Sequence, residues 1–122
     1  NKTGQEFCPG TALPLLRPDI CVVNRYTIQS KLSLHQDIFT KRSSKVPVIS
    51  LSIGLSAEFV YKHSWKKKEE VKSVILESGD AFIFGGRSRG IIHGIKRIIP
   101  DSAPIALGDD AKFRYNLNLR EF

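Results

Sequence analysis

Val46-Pro47-Val48-Ile49-Ser50-Leu51-Ser52-Ile53-Gly54-Leu55 is the stretch that decides the fold. It reads as the strongest strand in the chain. Side chains alternate across a strand, so Val48, Ser50 and Ser52 share one face and Ile49, Leu51 and Ile53 the other. Upstream, residues 19–28 are rich in branched and aromatic side chains and read as a strand, with Val22, Asn24 and Tyr26 on one face. Residues 29–31 turn into the extended stretch Leu32-Ser33-Leu34-His35-Gln36-Asp37. Residues 40–45 are polar, basic and expected to be exposed. Downstream, residues 58–62 are predicted as a short strand, and the charged residues 63–70 as a connection whose Lys66-Lys67-Lys68 suits a hairpin tip. Residues 71–76 read as a strand, with a short helix as the alternative. Glu77-Ser78-Gly79-Asp80 is a turn, in which Asp80 is expected to be structural. A short strand at 81–84, a glycine-bearing loop at 85–90, a strand at 91–99 carrying His93, a loop at 100–110 and a last strand at 112–119 complete the chain. About seven or eight short strands, with turn signals between them and no long helix, predict an all-β fold. A double-stranded β-helix, or jelly roll, is the natural candidate.

Length and composition bound the function. At 122 residues the chain holds one domain at most. Residues 1–18 are loop-like, with Gly4, Pro9, Gly10, Pro14 and Pro18, so the domain is expected over 19–122. No apolar run approaches the roughly 20 residues of a membrane-spanning helix, and no membrane partner is expected. The two cysteines, Cys8 and Cys21, make no disulfide scaffold. Cys21 lies in the apolar run Ile20-Cys21-Val22-Val23 and is predicted to be a buried small hydrophobe in an intracellular, reducing compartment. The net charge of +7 favours a polyanionic partner such as nucleic acid, or else marks a solvated basic face.

Two constellations carry chemistry. His35 and Asp37 stand two apart in an extended segment, so an imidazole and a carboxylate converge on one side while Gln36 faces away. That is two-thirds of a 2-His-1-carboxylate facial triad, which holds non-haem Fe(II) and leaves positions open. His93 is the candidate third ligand. In the last strand, Phe113, Tyr115, Leu117 and Leu119 alternate with Arg114, Asn116, Asn118 and Arg120. The two arginines are six residues apart, roughly 20 Å along a strand. Their long side chains reaching inward shorten that gap to suit a short dicarboxylate, one guanidinium fork at each end. Asn116 lies between them, and Asn24 and Tyr26 offer further hydrogen bonds. A facial triad takes a bidentate 2-oxo acid and O₂ in its open positions, so the iron site and the diacid clamp are two halves of one chemistry.

With these residues in hand, the sequence resembles the AlkB family of Fe(II)/2-oxoglutarate dioxygenases. The resemblance rests on Asn24-Arg25-Tyr26, residues 31–37, residues 47–55, Leu76-Glu77-Ser78-Gly79-Asp80, Gly85-Gly86 with Ser88-Arg89, His93-Gly94-Ile95 and residues 114–120, in the family's order. It implies a jelly roll, Fe(II) held by His35, Asp37 and His93, and 2-oxoglutarate held by Arg114 and Arg120 with help from Asn24, Tyr26 and Asn116. It also implies oxidative demethylation of N-alkylated bases in methylated DNA or RNA, with O₂ consumed and formaldehyde, succinate and CO₂ released. A monomer in the nucleus or cytoplasm is the corresponding expectation.

The chain departs from the family pattern at three places. Residues 1–18 are too short and too poor in aromatics (Phe7 is the sole ring) to form the family's nucleotide-recognition lid. The lid is therefore expected to lie outside this sequence, or substrate binding to differ. Ile38 and Phe39 follow His35-Gln36-Asp37 where acidic residues are common, and Phe84 precedes Gly85-Gly86 where some members have tryptophan. These departures bear on base preference. Phe39, Trp65 and Arg89 are the candidate substrate residues. Trp65 stacks on a base or anchors a solvated hairpin tip, Arg89 faces substrate or braces its loop, and His63 is expected to be a surface histidine. The alternatives are an oxygenase acting on a protein side chain and a non-catalytic jelly-roll module that binds nucleic acid.

Overall fold

The computed structural model describes residues 15–37 and 41–122. Most of residues 1–18, and with them Phe7 and Cys8, lie outside that range, as do Ile38 and Phe39. Eight strands follow in order: β1 (Ile20–Tyr26), β2 (Leu32–His35), β3 (Val48–Gly54), β4 (Ala57–Lys62), β5 (Lys72–Leu76), β6 (Ala81–Phe84), β7 (Ile92–Ile98) and β8 (Arg114–Arg120). They pair antiparallel into two four-stranded sheets, ordered β1-β8-β3-β6 and β2-β7-β4-β5. Each sheet draws alternately from the two ends of the chain, which is the winding of a jelly roll. Every predicted strand is present, with ends that agree or shift by at most two residues. Residues 72–76 are strand rather than helix. Short 3-10 turns occupy Ser43–Lys45, Gly86–Ser88 and Ile105–Lys112.

Register explains which residues meet. In the first sheet Asn24 pairs with Asn116 and Tyr26 with Arg114, while Ser50 and Ser52 pair with Asn118 and Asn116. Pairing aligns side chains on one face, so this polar set forms one continuous surface, and it points inward. Arg114 is only 1 % exposed, and Ser50, Ser52 and Asn116 are buried. The apolar positions between them face out, and Val23, Ile53 and Ile83 are exposed. The second sheet behaves conventionally inside. Ala57, Phe59, Leu76, Ile95 and Ile98 pack with Val48, Leu55 and Phe84 to form the apolar core. Its outer face carries Glu58, paired to Arg97 at 2.8 Å and to Lys96 at 3.9 Å. Cys21 corrects its expectation: it is exposed. Val22 and Tyr26 line the interior and Cys21 is one residue out of phase with them, so the apolar run around it does not bury it.

Two glycines hold the strands at their observed spacing. Gly54 has φ +95°, and a Cβ there would strike the Phe113 carbonyl, so a side chain is excluded where β3 hands over to the next turn. Gly94 lies under β2. A Cβ on it would sit 2.5 Å from the Leu32 carbonyl oxygen and 3.1 Å from the Leu34 nitrogen.

Candidate active site

His35 and His93 are direct cross-strand partners of β2 and β7, with ring centroids 4.5 Å apart. Each ring is held the same way. Nδ1 of His35 lies 2.9 Å from the Ser33 carbonyl and Nδ1 of His93 lies 3.0 Å from the Ile91 carbonyl. A carbonyl oxygen only accepts, so Nδ1 carries the proton in both rings and Nε2 presents its lone pair. Both Nε2 atoms stand 3.7 Å from Asp37 Oδ1. That is too far for a hydrogen bond and leaves two lone pairs and a carboxylate oxygen converging on a common point. The three donor atoms lie within 4.8 Å of one another, a spacing that fits a cation between them. Burial pushes the His93 pKa down, against the pull of the Ile91 carbonyl and of Asp37. The imidazole is thereby kept in the neutral form that binds metal. His93 is also clamped by aromatic rings, with Phe84 at 4.7 Å and Phe59 at 5.7 Å between centroids.

The second carboxylate oxygen is engaged from the other side. Arg120 Nη2 lies 3.5 Å from Asp37 Oδ2. Arg89 contributes to the same field: Asp37 and Arg120 both act on its charge. Arg89 itself is 6 % exposed, and its Nε donates to the Val46 carbonyl at 2.9 Å. Of the two expectations for Arg89, the bracing one has this contact.

A cavity of about 250 Å³ opens in front of the triad. Its walls include Asn24, Tyr26, Asn116 and Arg120, with Phe59 and Phe84 below. That volume lies under the roughly 300–1,000 Å³ of drug-sized sites and suits a small acid. Arg114 is not in the wall. It lies buried behind it, donating to Ser52 Oγ at 2.9 Å and reaching the Leu55 carbonyl at 3.4 Å. Burial pushes Arg114 down while Tyr26 and Asp80 pull it up, and burial pushes the Tyr26 phenol up against the pull of Arg114. Tyr26 is therefore a neutral O–H donor at working pH. Among the described residues, the buried Nε atoms of Arg114 and Arg120 have no hydrogen-bonding partner. An unsatisfied buried cationic donor is costly, and an anion relieves it. Asn116 Nδ2 donates to Ser50 Oγ and to the Leu51 carbonyl, which holds its amide at the cavity wall.

The remaining predicted residues scatter. Trp65 is 56 % exposed in the β4–β5 hairpin, with the Lys62 ammonium 5.7 Å from its ring centroid. His63 is exposed, edge-on to Tyr61. Asp80 accepts from the Glu77 amide at 2.8 Å and closes its turn as expected. The residue that sequence reading passed over is Gln36. It was placed facing away from the site, which it does, but its partners Gly90 and Trp65 lie far off in sequence.

Two imidazoles and a carboxylate at the mouth of a small cationic cavity, inside a jelly roll, define a class: β-sandwich proteins built for a metal ion and a small acid. Comparison with known proteins narrows it. The profile of the 2OG-Fe(II) oxygenase superfamily matches residues 3–120. The chain is 49 % identical over 116 residues to the DNA N(6)-methyladenine demethylase ALKBH1D of Arabidopsis thaliana, covering 90 % of this chain and 26 % of that one. It is 35 % identical over 117 residues to the alpha-ketoglutarate-dependent dioxygenase AlkB of Escherichia coli, covering 96 % and 51 %. The solved structure of OsALKBH1 superposes with a TM-score of 0.83 at 46 % identity, over 97 % of this chain and 59 % of that one. The chain belongs to the 2OG-Fe(II) oxygenase superfamily and, within it, to the AlkB family. It spans about a quarter of the Arabidopsis relative and about half of the bacterial one.

Proposed function

We propose that residues 19–122 form the catalytic domain of an Fe(II)/2-oxoglutarate dioxygenase that demethylates N-alkylated bases in DNA or RNA. The observation that carries this reading is the convergence of His35 Nε2, His93 Nε2 and Asp37 Oδ1, with both Nδ1 protons already committed to carbonyls. The donor set fits iron, and the cationic Arg120 in the cavity wall, with Asn24 and Tyr26 beside it, fits a small acid. Iron bound there with 2-oxoglutarate and O₂ supplies the oxidation of a methyl group, which leaves as formaldehyde with succinate and CO₂ formed.

The protein's own part is positional and electrostatic. His35, His93 and Asp37 hold the metal on one side and leave the cavity side open. Arg120 orients Asp37 through Oδ2 and offers its fork to one carboxylate of the cosubstrate. Arg114, out of contact behind the wall, contributes its charge toward the other carboxylate, and Tyr26 in the wall makes the contact, its neutral phenol donating rather than accepting. Asn24 adds an amide donor, whereas Asn116, its Nδ2 committed to Ser50 and Leu51, shapes the wall beside it. Phe59 and Phe84 exclude water from the His93 side. A methylated nucleic acid is supported by the basic balance of the chain and by the activities in the relatives' names. Such a substrate goes with an intracellular protein of nucleus or cytoplasm, and a duplex target requires extrusion of the base.

The test is incubation with Fe(II), ascorbate and labelled 2-oxoglutarate. Succinate coupled to formaldehyde release from methylated oligonucleotides, and absent with methylated peptides, is the expected result. Release from peptides alone transfers the activity to a protein substrate, and no succinate with any substrate removes the enzyme reading altogether.

A further inference from the structure

Gln36 stands between two of the three triad residues, and its side chain points away from the metal. Its amide nonetheless has two strong and chemically unambiguous partners. Nε2 donates to the Gly90 carbonyl at 2.7 Å, and Oε1 accepts from the Trp65 indole N–H at 3.0 Å. A carbonyl cannot donate and an indole N–H cannot accept, so only one orientation of the amide satisfies both. One side chain thus joins three segments: the triad turn, the loop that leads into the His93 strand, and the β4–β5 hairpin.

The hairpin is built to be held this way. The Glu69 carboxylate accepts from the His63 amide at 2.8 Å, the Ser64 amide at 2.7 Å and the Ser64 hydroxyl. Glu69 donates its own amide to the Lys66 carbonyl at 3.0 Å, closing the tip. These bonds hold the carboxylate below its usual range, the Ser64 hydroxyl foremost. Trp65 is thereby presented to Gln36, and Lys66, Lys67 and Lys68 follow it into solvent without an ion pair among the described residues.

We propose that Gln36 is a positioning residue that fixes the Trp65 hairpin to the metal-ligand turn, so that Lys66, Lys67 and Lys68 form a track for the phosphodiester strand flanking the target base. This rests on the nucleic-acid reading above. It assigns the substrate grip of the domain to a hairpin rather than to the triad loop alone. It also makes the hairpin's position depend on a bond made by the residue between two metal ligands.

The test is a double-mutant cycle. Gln36→Met removes the amide at similar length, and Trp65→Phe keeps a ring but removes the N–H donor at a site remote from the ligands. KM and kcat are measured with a methylated single-stranded oligonucleotide, beside tryptophan emission on addition of Mn(II) and 2-oxoglutarate. Each single variant is expected to raise KM by about fivefold to tenfold, as loss of one hydrogen bond implies, with kcat within about twofold. The double variant should add little to either, because both changes remove the same link. Trp65 is the one tryptophan of the sequence, so its emission, abolished in Trp65→Phe, should respond to the metal in the wild type and not in Gln36→Met. If the wild type demethylates the oligonucleotide and either both variants keep its KM or their two effects on KM add in the double variant, the coupling is wrong and the nucleic-acid reading stands. If the wild type does not act on the oligonucleotide at all, both fall.

Discussion

Arg120 is where two requirements meet in one side chain. Its Nη2 faces Asp37 Oδ2 while its Nε stays unsatisfied in the cavity wall. A lysine could supply the charge but not the two-sided fork. Arg120→Lys is therefore expected to weaken both partners at once. Metal affinity should fall about tenfold to a hundredfold, as for other outer-sphere partners of ligands, and KM for 2-oxoglutarate should rise. Co(II) absorption titration without cosubstrate separates the first effect from the second, and wild-type values in both would remove Arg120 from the site. Tyr26 makes a second residue-scale prediction. Burial raises its pKa, only partly offset by Arg114. An exposed phenol titrates near 10, so the unfolded chain ionises first. Stability from Tyr26 is complete below about pH 10 and is lost as pH rises through the higher folded value. Tyr115 is raised as well, chiefly by its hydrogen bond to Asp110. The alkaline denaturation profile of Tyr26→Phe should therefore be compared with that of Tyr115→Phe, and only the former should also lower affinity for 2-oxoglutarate. At this scale the sequence was highly legible. Residue types two apart in an extended segment announce His35 and Asp37. Nothing local announces that Arg114 lies behind the cavity wall rather than in it, because that depends on Ser52 and Leu55 capturing its guanidinium.

At the scale of elements, the site depends on how closely β2 lies on β7. Gly94 sits beside His93 and leaves no room for a Cβ against the backbone of residues 32–34. Gly94→Ala must lift β2, and β2 carries His35. Overpacking of this kind costs about 1–3 kcal/mol. The metal site should suffer more than the fold, because its two imidazoles come from the two strands being forced apart. The expected outcome is a far-UV circular dichroism spectrum close to wild type, a lowered urea midpoint and a disproportionate loss of Co(II) affinity. A metal affinity equal to wild type would show that β2 yields without moving His35. The element count could be read from alternation and turn residues, and the ends of strands could not. His93 was readable as the third ligand, but the register that sets it opposite His35 was not, and the link from Gln36 to Trp65 was out of reach for the same reason: both depend on pairing between segments distant in sequence, which no local periodicity encodes.

The whole molecule inverts the usual reading of a sheet on one side only. In β3 and β8 alternation was plain, but the polar face is the buried one, because the interior of the first sheet is a cavity wall rather than an apolar core. The ordinary rule of apolar-in holds for the second sheet, whose outer face neutralises its own cations through Glu58. The net charge of +7 is therefore unevenly available. Lys96 and Arg97 are paired to Glu58, whereas Lys66, Lys67 and Lys68 have no carboxylate partner among the described residues. Counterion release depends on cations that actually neutralise phosphates, and for a single strand each contributes about 0.7 to the slope of log affinity against log salt. Replacing Lys66, Lys67 and Lys68 together by alanine should flatten that slope by about 2 units. Replacing Lys96 and Arg97 should leave it nearly unchanged, although the formal charge removed is similar. Fluorescence anisotropy of a labelled single-stranded oligonucleotide across a salt series reads both. Equal flattening by the two sets would mean that overall charge, and not the hairpin, holds the strand. A flattened slope for the hairpin set alone would place the nucleic acid along the edge of the molecule where Gln36 meets Trp65.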